Sequence, residues 1–252
     1  MIRNQISKFY FDHPGIWYGI GKILDRFERE TKFLVDIFNE YKVQGSILDV
    51  GSGTGSHLNK LSKKGFVCTG VDLNKNMVNY AKRKYPKLTF ELGDMKNLNY
   101  INKFDAIICL CTTFCYNLTN EDISLSLKSF HKALKSNGVL IIEMMNPISF
   151  IEKRGFPRKF EDKKFEKIGI KFITENKINE NNQFMIEKRE IYDFKKNKKL
   201  KTDVTKIRLF FPQEVRYFLE NNGFTLMEFY GDYNKKSKKL DKSKLIVISK
   251  KI

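Results

Sequence analysis

Leu48-Asp49-Val50-Gly51-Ser52-Gly53-Thr54-Gly55 decides how this chain is read. A short apolar strand, Ser46–Val50 (SILDV), runs into three glycines at alternate positions, and a helical segment, Ser56–Lys64, follows. Glycines at a strand-to-helix turn let a ligand approach the backbone with no Cβ in the way. A dinucleotide loop of the GxGxxG type requires glycine at position 56, where this chain has Ser56. The pattern here is GxGxG behind an acid, Asp49. A glycine turn by itself specifies no ligand, so the surrounding sequence has to.

Outward from the turn, strands and helices alternate. Phe66–Asp72 reads as the second strand and Asn74–Tyr85 as the second helix, with Asn74 at its N-cap and Pro86 past its end. Leu88–Leu92 is the third strand, and Phe104–Cys111 the fourth, apolar throughout as a strand covered on both faces is. An amphipathic helix, Asn120–Lys135, stops at Asn137-Gly138, and Val139–Met145 is the fifth strand. This rhythm predicts an α/β doubly wound, mostly parallel sheet, whose ligand sits beyond the C-terminal strand ends. Two acids fall there beside the glycine turn. Asp72 lies about 20 residues on, where a carboxylate accepts both ribose hydroxyls of a nucleoside. Asp94, after Gly93, is placed to accept from an adenine amino group.

The flanks differ. Residues 1–19 are aromatic-rich, contain Pro14-Gly15 and read as an irregular arm, followed by one amphipathic helix from Ile20 to Tyr41. After Asn146-Pro147, residues 148–163 read as irregular, and Phe165 to Phe211 as three or four antiparallel strands. A helix over Pro212–Asn222 and two strands, Thr225–Tyr230 and Leu245–Ser249, close the chain around a Lys-rich loop. The expected division is an arm and helix forming a lid (1–44), a Rossmann-like core (45–147), an antiparallel β insert over the acceptor site (148–211), and a helix and hairpin that complete the core (212–252).

LDVGSGTG, Asp72, the GD at 93–94, FDAIICL at 104–110 and GVLIIE at 138–143, in that order, resemble the class I S-adenosylmethionine (SAM)-dependent methyltransferases. The resemblance covers about 45–146 and again 212–252. It implies a seven-stranded sheet of order 3-2-1-4-5-7-6 with only the last strand antiparallel, and SAM as cofactor with S-adenosylhomocysteine as product. It also implies that Asp49, Gly51 and Gly53 bound the methionine end, that Asp72 holds the ribose, and that Leu73 lies against the adenine. Asp94 and the backbone of Met95 would hold the adenine edge, with Leu110 and Cys111 near the sulfonium. The arm, the insert and RLFFPQEV…NNGF…YGDY look similar to small-molecule members related to sugar-amine and glycine N-methyltransferases.

A formal charge of +18 would suit a polyanion, yet Lys far outnumbers Arg, and the runs at 195–199 and 235–239 read as solvated loops. Cys68, Cys109, Cys111 and Cys115 lack CxxC or paired-His spacing, so they read as reduced thiols and no metal is expected. The sequence shows no apolar run of membrane-spanning length and no secretory leader in MIRNQISKF, which predicts a cytoplasmic protein with no membrane partner. The expected partner is a small-molecule acceptor, with nucleic acid not favoured, and the chain is read as a monomer or homodimer.

Methyl transfer from SAM needs an aligned nucleophile, exclusion of water and, for a protonated nucleophile, a base. Candidates at the strand rim are Glu143, Tyr230 and Asp232 for catalysis, with Asn146, Tyr10, His13 and Tyr18 for acceptor binding. No NPPY-like or DPPY-like sequence follows the fourth strand, where Cys111-Thr112-Thr113-Phe114 stands. That weighs against methylation of a DNA-base amine. A small-molecule methyltransferase, with nitrogen slightly favoured over oxygen, is the leading expectation. An RNA methyltransferase and a SAM- or nucleotide-binding regulatory module without turnover are the rivals.

Overall fold

In the computed structural model, residues 12–23, 26–151, 159–162, 165–166 and 169–252 are described. Two helices open them, α1 (Pro14–Ile23) and α2 (Arg26–Glu40). The core then alternates β1 (Ser46–Val50), α3 (Ser56–Ser62), β2 (Val67–Asp72), α4 (Lys75–Lys84), β3 (Thr89–Leu92) and β4 (Phe104–Cys109). It continues through α5 (Asn120–Ala133), β5 (Leu134–Met145) and a single turn, α6 (Ile148–Ile151). Four strands follow, β6 (Lys159–Asp162), β7 (Ile170–Asn179), β8 (Phe184–Asp193) and β9 (Lys198–Arg208). The chain ends with α7 (Pro212–Glu220), β10 (Phe224–Tyr230) and β11 (Lys244–Lys251).

The seven-stranded sheet has the order β3-β2-β1-β4-β5-β11-β10, and β11 is antiparallel to both of its neighbours. This is the expected 3-2-1-4-5-7-6 arrangement. Its central strands are buried on both faces because alternate residues feed two cores. On β4, Ala106 and Ile108 pack with α2 residues such as Leu34 and Phe38. Phe104, Ile107 and Cys109 pack on the other side with Leu127 and Phe130 of α5. Each such side chain, fully buried, contributes about 1.5–3 kcal/mol, which is why the sequence must be apolar on both faces here.

Two flanking expectations need correction. The arm is not irregular over its described part: α1 starts at Pro14, whose missing N–H costs nothing in a first helical turn. The segment 148–163 contains β6, which pairs antiparallel with β7 from Lys159↔Glu175 to Asp162↔Phe172. KFED carries no alternating apolar signal because an edge strand is held by its backbone. It completes a second, four-stranded antiparallel sheet in the order β6-β7-β8-β9.

Candidate functional site

At the end of β1 the glycine turn is forced into left-handed backbone. Gly51 has φ 76°, and a Cβ there would stand 2.4 Å from Cγ2 of Thr113. Gly55 has φ 75°, and its Cβ would lie 2.4 Å from Cζ of Phe90. Both positions therefore require glycine twice over, for conformation and for space. The carboxylate of Asp72 locks the turn, with Oδ2 accepting from the Gly53 N–H and Oδ1 from the Asn74 N–H, each at 2.8 Å. Burial raises the Asp72 pKa, and the two backbone hydrogen bonds pull it back down.

A cavity of about 320 Å³ opens over these strand ends, within the range of small-molecule sites. Every cofactor residue expected from the sequence lines it: Asp49, Gly51, Gly53, Asp72, Leu73, Asp94, Met95, Leu110 and Cys111. Asp94 also caps a short 3₁₀ turn, accepting from the Lys96 N–H at 2.9 Å. Asp49 is 2% exposed, and burial pushes its carboxyl up to about 7, against the pull of His57 and with the push of Asp72. The observed shape suits a nucleoside: a backbone cradle that a Cβ would fill, a buried acid beside it, and apolar walls from Leu73 and Met77.

The exit of β4 is strained. Cys111 and Thr112 adopt φ 56° and 65°, a conformation that L-residues rarely take. Glu143 supports it, accepting from the Cys111 N–H at 2.7 Å, from the Tyr233 hydroxyl at 2.9 Å and from Nζ of Lys244 at 2.7 Å. Arg26 donates from Nη2 to Sγ of Cys111 at 2.8 Å and pairs with Glu30 at 3.2 Å. Nε2 of His57 lies 2.6 Å from Oε2 of the same Glu30. Burial opposes ionisation of Glu30, yet its His57 hydrogen bond and the charges of His57 and Arg26 prevail and hold the carboxyl low. Burial pushes the Cys111 thiol up to about 12, with Arg26 drawing it back, so it stays protonated at neutral pH. Glu30, His57 and Cys111 bring possible ligand atoms within 4.8 Å of one another. The cation bound to both Glu30 and Cys111 is the Arg26 guanidinium.

The expected catalytic and acceptor residues are more scattered. Glu143 lies in a second cavity of about 490 Å³ that shares Trp17, Arg26, Cys111 and Thr112 with the first. Tyr230 is 2% exposed and packs edge-on against Phe33 at 5.2 Å, outside both cavities. The sheet order puts β10 three strands from β4, roughly 14 Å away at ordinary strand spacing. Asp232 turns back on its own corner, accepting from the Tyr233 N–H at 2.8 Å. Asn146 is fully buried and donates from Nδ2 to the carbonyls of Leu240 and Lys242, both at 2.8 Å, so it clamps the β10–β11 loop. His13 is exposed at the start of α1. Tyr18 fixes α1 to its neighbours, with Nζ of Lys84 3.7 Å from its ring and Phe27 stacked at 6.2 Å. Tyr10 lies outside the described residues.

Sequence reasoning missed other lining residues. Trp17 faces the glycine turn, its Nε1 3.6 Å from where a Cβ on Gly53 would be. From the second sheet, Met185, Glu187 and Arg189 of β8 and Thr205 and Ile207 of β9 line the first cavity. Their spacing of two residues is the signal that was available, since one face of a strand repeats with that period.

A family model described as a methyltransferase domain matches residues 47–138. A dTDP-3-amino-3,4,6-trideoxy-alpha-D-glucopyranose N,N-dimethyltransferase from Streptomyces venezuelae is 32% identical over 135 residues, 52% of this chain and 56% of its own length. A glycine/sarcosine N-methyltransferase from Parasynechococcus marenigrum is 32% identical over 127 residues, covering 48% and 45%. The chain thus spans about half the length of these curated relatives. The solved structure of an S-adenosylmethionine-dependent methyltransferase from Clostridium acetobutylicum superposes with a TM-score of 0.80 at 18% identity, covering 93% of this chain and 97% of that one. Among the described residues no helix is long and apolar enough to cross a membrane. These similarities liken residues 47–138 to a methyltransferase domain, and the fold as a whole, with its strand order, is shared with a solved S-adenosylmethionine-dependent methyltransferase.

Proposed function

We propose that this protein transfers a methyl group from SAM to a nitrogen of a small-molecule acceptor. One observation carries the reading: a single cavity is lined by the whole set of expected cofactor residues and, opposite them, by polar side chains of the second sheet. SAM supplies a methyl group already activated on a cationic sulfur. The chain's own task is to position. Asp72 offers carboxylate lone pairs beyond those used by the Gly53 and Asn74 amides, enough for ribose hydroxyls. The Arg26 guanidinium, bound to Cys111 at the mouth of β4, gives the cavity a fixed positive charge that suits a carboxylate. α1, through Trp17, and the second sheet wall off the acceptor end and exclude water.

Glu143 acts in this reading as a positioning residue, holding the Cys111 backbone rather than touching the acceptor. The small-molecule relatives support nitrogen as the target, since both are N-methyltransferases by name. The Lys-rich loop does not favour a polyanion. Lys235 pairs with Glu40 and Lys238 with Glu228, so part of its charge is met by the protein's own acids.

Calorimetric titration with SAM, S-adenosylhomocysteine and NAD tests the cofactor. Methyl transfer from labelled SAM to a small-molecule fraction and to tRNA, side by side, tests the acceptor class. Binding of SAM without transfer to the small-molecule fraction would remove this reading.

A further inference from the structure

The second sheet turns an unusual face toward the cavity. Glu187 and Thr205 line it, and the register sets Asn176 directly opposite Glu187 and Glu187 directly opposite Thr205. Directly paired residues share a face and stand about 5 Å apart, so these three form one row across β7, β8 and β9. The next row on that face is Thr174, Arg189 and Asp203, with Thr174 and Asp203 only 2% and 6% exposed. These two rows are polar and buried although the same face is apolar on either side of them, with Phe172 and Ile191 at one end and Met185 and Ile207 at the other.

Two further observations say what these rows are built for. Asn176 stands beside the cavity-lining Glu187 rather than in the lining itself; it is 6% exposed, and its side-chain oxygen has no hydrogen-bond partner among the described residues. A buried acceptor left unpaired is destabilising, so this oxygen calls for a donor that water or a ligand can bring. Glu187 is, among the described residues, the one carboxylate lining the cavity that does not belong to the core. Asp49, Asp72 and Asp94 all stand at the ends of the core strands. Nη2 of Arg189 lies 2.6 Å from Oε1 of Glu187, which fixes the carboxylate while Oε2 has no hydrogen bond to any described residue. An amide oxygen, a carboxylate and a hydroxyl therefore stand in line, all able to accept. An ammonium group is the complement, because it offers three N–H donors and no acceptor.

We propose that Glu187 and Thr205, with Asn176 behind them in the same row, recognise a cationic amine acceptor, Glu187 being the residue that selects an amine over a hydroxyl. The proposal rests on the methyl-transfer reading above. It concerns recognition only, and assigns no proton transfer to Glu187.

The test uses the full chain saturated with S-adenosylhomocysteine, titrated with glucosamine and with glucose, which share a skeleton and differ at the amine. Glucosamine should bind, and glucose about tenfold more weakly, as expected for one charge-assisted contact. Glu187→Gln should erase that preference, and Glu187→Asp should restore part of it, with S-adenosylhomocysteine affinity and melting temperature unchanged in both. Thr205→Val should weaken glucosamine alone. Absence of glucosamine binding, equal binding of the two sugars, or a preference that survives Glu187→Gln would each overturn the proposal. Failure of the wild-type chain to bind S-adenosylhomocysteine would instead sink the methyltransferase reading, so the two failures are distinguishable.

Discussion

Oδ2 of Asp72 accepts the N–H of Gly53 at 2.8 Å, so the acid after the second strand is bonded directly to the glycine turn after the first. The residue expected to hold a ribose also holds the cradle. Asp72→Ala should weaken S-adenosylhomocysteine binding by about 1.5–3 kcal/mol, the range for hydrogen bonds to a charged group. Calorimetry on the purified variant measures it, and an unchanged affinity would refute the assignment.

Gly51 tests the same cradle sterically. Gly51→Ala places a Cβ in left-handed backbone, costing about 1–2 kcal/mol, and against Thr113. S-adenosylhomocysteine affinity should fall, and adding Thr113→Ala should recover part of the loss, because Cγ2 at 2.4 Å and Oγ1 at 2.8 Å are then gone. A double-mutant cycle with no coupling between the two sites would contradict this geometry.

Glu143 distinguishes support from chemistry. Its carboxylate is buried and meets Lys244, Tyr233 and the Cys111 amide. Removing one partner of a buried pair leaves the other uncompensated, so Glu143→Ala should cost about 3–5 kcal/mol of folding stability by urea denaturation. A variant that kept full stability and lost only turnover would return Glu143 to the catalytic list.

Asp49 should make stability fall as pH rises. Its folded pKa of about 7 lies above the ordinary value of 3.8, so between those values the folded chain binds the proton that the unfolded chain has released. Stability contributed by the neutral carboxyl is thus present at low pH and lost on the way to neutrality. Asp49→Asn should flatten that slope and gain on the order of 2–4 kcal/mol at neutral pH relative to the parent. Urea titrations at pH values on either side of the window check it, and parallel slopes in both proteins would count against it.

The Lys-rich loop is expected to be dispensable for chemistry. Replacing Lys235, Lys236, Lys238 and Lys239 by Gln removes two surface ion pairs, each worth about 0–1 kcal/mol, and should leave small-molecule turnover intact. Loss of turnover in that variant would bring the polyanion reading forward.

The sequence by itself determined the alternating core and the set of residues that line the cavity at its strand ends. Those signals are local: FDAIICL must be apolar to be covered on both faces, and the glycines after Val50 must be glycines because only they take that turn beside Thr113 and Phe90. Tertiary structure alone decided which residues of the second sheet line that cavity. Tyr230 ends the edge strand β10 and Asp232 follows it, three strands from β4, where Tyr230 packs on Phe33 and Asp232 accepts from the Tyr233 N–H. His57 lies in the first turn of α3, and only the packing of α2 brings Glu30 to within 2.6 Å of it. Glu187 and Thr205 are far from the glycine turn in sequence and carry no motif. Long-range docking of one sheet over another sets such neighbours, and no local pattern encodes which face of a strand will meet a cavity.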